Sequence, residues 1–130
     1  MKRLKAGALI VLAVALALMF SRTPAWAHHG TAAFDTSAMV TVTAKVTEFM
    51  YVNPHVQVYF EGKTEKGEVS KWQGELTAPN KLTRAGWSKN TLKPGDSITV
   101  SGFQLKNGEH TMWIRKLIGP DGMDLQLFED

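Results

Sequence analysis

Four histidines are the residues of this sequence best suited to ligand chemistry: His28, His29, His55 and His110. Ala25-Trp26-Ala27 stands immediately before the first of them. Small residues at 25 and 27 form the small-x-small pattern that signal peptidase cuts, and a cut after Ala27 makes His28 the first residue of the mature chain. An N-terminal histidine offers a metal two nitrogens from one residue, its α-amine and its ring Nδ1, which close a six-membered chelate. The free amine has a pKa of about 7.7–8.0, so a strong Lewis acid can displace its proton near neutral pH. Nitrogen-rich ligation favours Cu(II), which also heads the divalent affinity order. His55 is the best distal partner, His29 a third donor and His110 a fourth. A plainer reading stands beside this one. Any peptide that begins His-His takes up some copper, His55 can bond within its own loop, and His110 follows a hairpin turn and faces solvent.

Other chemistry is thinly supplied. Met39, Met50 and Met112 could serve Cu(I) as soft ligands, although isolated methionines are more often packing. The chain has no cysteine, so no thiolate zinc or blue-copper site can form. Trp72 and Glu75 sit three apart on a strand and therefore face opposite sides, which puts Trp72 in the core and Glu75 on the outer face with Lys71 and Gln73. A catalytic carboxylate needs a partner, and no second acid has a readable relation to Glu75. There is no phosphate-cradling glycine loop, nucleophile elbow or HExxH helix. Trp87 and Trp113 with Arg84 and Arg115 could stack nucleotide bases. Core packing and amphipathic cover are the commoner uses of such residues.

The first 27 residues read as a secretory signal. Lys2, Arg3 and Lys5 form a basic n-region, residues 6–20 an unbroken apolar run, and Ser21-Arg22-Thr23-Pro24 a break before the cleavage site. The run is short for a membrane span. Removing the signal changes the electrostatics. Four of the 15 Lys and Arg residues lie in it, so the net charge of +3 describes the precursor. The mature chain balances 11 basic against 12 acidic residues. That balance argues against nucleic acid, which needs a basic face. The expected compartment is the periplasm or the exterior, with no membrane span after cleavage. The mature chain is one small domain, large enough for one core and without disulfides to help it.

What positions these residues reads as β-structure. Residues 28–39 are small and polar with one Phe, an extended arm. Val42, Ala44 and Val46 alternate with Thr and Lys, a half-buried strand. Pro54 bends the chain, and Val56, Val58 and Phe60 form the inner face of a second strand. A polar loop over residues 62–67 leads to a third strand carrying Trp72 and Leu76. Residues 80–85 are a short helix, with Pro79 at its start and Gly86 at its end. Leu92-Lys93-Pro94-Gly95-Asp96 is a turn. Ile98 and Val100 carry a fourth strand, Asn107-Gly108 a hairpin turn, and residues 110–118 a fifth strand. Three strands, a helix and two strands give an all-β fold with one short helix. The order is that of a five-stranded OB-like Greek-key barrel over residues 40–118, with a C-terminal tail over 119–130. A small open β-sandwich is the alternative.

The His28-His29 start, Phe34-Asp35, Asn53-Pro54-His55, Trp72 with Glu75, the segment 82–86 and the Leu92-Lys93-Pro94-Gly95-Asp96 turn resemble a family of small exported bacterial proteins known only as a domain of unknown function. The resemblance covers nearly all of the mature chain and implies an exported, barrel-like domain. It brings no reaction. Two functions follow from the residues: a copper-binding or copper-handling protein using the mature N-terminal histidine, or an accessory module that binds a periplasmic protein or small ligand through the barrel face. Catalysis is the weaker expectation.

Overall fold

The computed structural model describes residues 30–128. The expected signal, His28 and His29 lie outside the described residues. Five strands follow in order: β1 Val40–Met50, β2 Gln57–Thr64, β3 Val69–Glu75, β4 Ser97–Gln104 and β5 Thr111–Ile118, with one helix, α1 Pro79–Arg84, between β3 and β4. They close into a barrel in the order β1-β2-β3-β5-β4. β1 pairs antiparallel with β2 from Val42 to Met50 and with β4 from Val40 to Lys45, so one strand belongs to both sides of the closure. That shared strand excludes the open sandwich. β3 and β5 pair in parallel over three positions only.

The local reasons are those of the sequence. Val42, Ala44 and Val46 point inward and are buried, and the residues between them are exposed. β1 is bulged between Val46 and Glu48, which lets an 11-residue strand turn from one neighbour to the other. Val56, Val58 and Phe60 from the second strand and its approach meet Trp72, Leu76, Val100, Ile114 and Leu117 in one core. Pro79 opens α1, whose buried side chain is Leu82, and Gly86 follows it at φ +92°. Only glycine takes that left-handed conformation without strain, so the helix stops there. Gly108 at φ +84° does the same for the β4–β5 hairpin.

Three details differ from the sequence reading. β5 starts at Thr111, and His110 stands just before it, its carbonyl accepting from the Gln73 N–H at 2.9 Å. The arm is not simply extended: it makes a 3-10 turn at Thr31–Ala33 and then buries Phe34, which bridges to Leu105. The tail is also tied down. Asp124 bridges to Ile118, Leu127 is buried, and the Trp87 indole donates to the Gln126 carbonyl at 2.7 Å. Among the described residues, no helix is long and apolar enough to cross a membrane.

Candidate functional site

The short β3–β5 pairing creates the site. Beyond Glu75 and Trp113 the two parallel strands no longer bond each other, and the outer surface opens into a cleft of about 210 Å³. β5 alternates, so Met112 and Ile114 enter the core while Trp113 and Arg115 project outward. Glu75 projects from the end of β3 on the same side. The arm brings Thr31 and Phe34 over one flank, and the tail brings Leu127 and Phe128 over the other. His55 reaches the cleft from the β1–β2 connection.

The floor is aromatic. Phe34 and Phe103 both tilt against Trp113, at centroid distances of 6.2 and 6.0 Å. The Arg115 guanidinium lies over Trp113 at 4.7 Å and over Phe128 at 4.8 Å. Its charge is therefore held against π-faces, an arrangement worth about 0.5–1 kcal/mol at exposed sites. His55 Nδ1 is 3.1 Å from the Leu76 carbonyl oxygen. A carbonyl only accepts, so Nδ1 carries the proton in this bond. A backbone bond of this kind fixes the tautomer of a metal-ligating imidazole and aims its other nitrogen. On the adjoining strand Tyr59 donates to Gln57 Oε1 at 2.9 Å, and Gln73 Nε2 donates to the same oxygen at 2.7 Å. Burial raises the Tyr59 pKa, and the nearby carboxylates of Glu48 and Glu75 raise it further.

His110 occupies a different cleft, of about 430 Å³, where the start of β1, the β2–β3 loop and the β4–β5 hairpin meet. Its ring packs on Trp72 at 4.6 Å and 37°. Trp72 stacks on Phe60 in the core at 6.3 Å and 2°. The Trp72 Nε1–H is buried without an acceptor.

The structure therefore separates the histidines that the sequence grouped. His55 is tied to Leu76, the residue just past β3, and His110 to Gln73 on β3, three residues earlier and roughly 10 Å away along an extended chain. Among the described residues, no three His, Asp or Glu side chains gather closely enough to hold a metal ion. The three candidate methionines do not gather either. Met112 is fully buried, Met39 is half-exposed before β1, and Met50 ends β1. Trp72 is core and Glu75 is outward, as the alternation required. Trp87 is core, whereas Trp113 is half-buried on the outside. The sequence reading passed over Phe34 and Phe128 as cleft walls. Their only signal was a lone aromatic in each of the two flanking segments, the arm and the tail.

No curated protein and no solved structure matches the chain significantly. Residues 15–113 match the model of a family of unknown function, DUF6152. The match takes in the arm, the first four strands and the first residues of β5 through Trp113. By that match the chain belongs to the DUF6152 family.

Proposed function

We propose that this is an exported periplasmic domain that binds copper, with His28 as the mature N-terminus and His55 as its partner on the barrel. One observation carries the reading: the arm and His55 meet at one cleft, since Thr31 and His55 both line it. Thr31 is three residues from His28, at most about 10 Å of chain, so the amine and ring of His28 are tethered within reach of the cleft. His29 lies on the same tether. Glu75 supplies a carboxylate to the cleft, which offsets the charge of Arg115. The His55 ring is oriented by Leu76, as a built ligand would be.

The test uses processed protein and Cu(II). His55→Ala should weaken binding and change the nitrogen coupling seen by EPR. Adding one residue before His28 should weaken it more strongly, because the amine leaves the chelate while every imidazole stays. His110→Ala should leave the Cu(II) spectrum unchanged. If His55→Ala has no effect, the arm binds copper only as a His-His peptide does, and the reading fails.

The aromatic floor favours a second reading. Phe34, Trp113 and Phe128 around Arg115 form a surface suited to a small ligand or to a segment of a periplasmic protein, with no metal. Under that reading Trp113→Ala abolishes binding and His28→Ala does not.

A further inference from the structure

We propose a second metal site, distinct from the His28–His55 cleft, that takes a soft monovalent ion of the Cu(I) or Ag(I) class between Met39 and His110, whose ring packs on Trp72. These three side chains line one cleft. Met39 is 52% exposed. A thioether and an imidazole are the donor types that suit Cu(I), and monovalent ions with a filled d-shell accept as few as two ligands.

Both donors stand on fixed backbone. The His110 carbonyl holds the Gln73 N–H at 2.9 Å, and Gln104 Nε2 donates to the carbonyls of Gly108 and Glu109, each at 3.0 Å. Met39 directly precedes Val40, which is already in register with Gly102. The local charge also favours a cation, because Glu65 and Glu68 line the cleft against one lysine, Lys66. Trp72 adds a further sign. The indole lies in the core between the Phe60 ring and, on the cleft side, the His110 ring, and its buried N–H has no protein acceptor. An indole in contact with the His110 ring responds directly when His110 takes up an ion.

The experiment is a titration of the protein, labelled at its methionine methyls and indole nitrogens, with Ag(I) as a redox-inert probe. NMR should show the Met39 methyl and the Trp72 indole N–H shifting together and saturating at one ion, while the buried Met112 methyl stays in place. Met39→Leu and His110→Ala, both at exposed positions, should each weaken this binding by about tenfold or more, as loss of even an outer-shell partner does in known metal sites. His55→Ala should leave it unchanged. A still Met39 methyl, an unchanged affinity in either variant, or loss of the site through His55→Ala would overturn the proposal.

Discussion

At the scale of single residues, Asp35 governs how the arm meets the barrel. Its N–H donates to the Gln104 carbonyl, and its Oδ1 accepts from the Ser37 hydroxyl at 2.6 Å and the Ser37 N–H at 3.0 Å. The Ser37 hydroxyl bond, then the Ser37 backbone bond, hold the Asp35 carboxyl below its ordinary value of 3.8, against a small opposing effect of desolvation. The sign follows from linkage. A carboxyl with a depressed folded pKa contributes its bonds at pH above the unfolded value, and loses them as pH falls through the folded one. The turn after Phe34 should therefore loosen only in acid, below about pH 4. The Ser37 amide shift followed through an acid titration checks this. Asp35→Asn keeps an acceptor oxygen but no titrating group, so its Ser37 amide should show no step. A flat wild-type curve would rule out control by this carboxylate.

At the scale of elements, closure depends on close backbone approach where β4 meets β5. The register slips between Ser101 and Gly102, and a Cβ at 102 would run into the Trp113 carbonyl and crowd Met112. Gly102→Ala should cost about 1–3 kcal/mol, the range for overpacking a filled interior. Gly30→Ala, with nothing within 4 Å of the added carbon, should stay within about 0.5 kcal/mol. Urea midpoints of the two variants measure the contrast, and equal midpoints would mean that the β4–β5 contact relaxes freely. The elements themselves were legible because their causes are local. Alternation placed Val42, Ala44 and Val46, and Asn107-Gly108, Pro79 and Gly86 marked turns and ends through their own backbone preferences. The site was less legible because its causes are not local. That His55 and His110 are competent donors is a property of imidazole. That they fall into separate clefts depends on where β3 leaves β5, which no stretch of sequence specifies by itself. Phe34 was hidden for the same reason, since its burial comes from Trp113 and Leu105, far along the chain.

For the whole molecule, the barrel is completed by its flanks. With no cysteine, nothing covalent ties the tail, yet Leu127 is 5% exposed and the Trp87 indole is satisfied by Gln126. Ending the chain at Gly122 removes a buried leucine, worth about 1.5–3 kcal/mol, and leaves an indole N–H without its acceptor at about 1–3 kcal/mol more. The shortened protein should unfold at clearly lower urea than the full one, with no influence of reductant on either. A tail that could be removed without loss would show that β1–β5 and α1 are self-sufficient. The meeting of arm and tail at one cleft also has a practical consequence for anyone handling the protein. Phe128 and His55 line the same cleft, so a hexahistidine tag joined soon after Phe128 is tethered at that cleft. Six borrowed imidazoles at that mouth would compete for any ion offered, and copper counted on such a fusion would describe the purification handle rather than the protein.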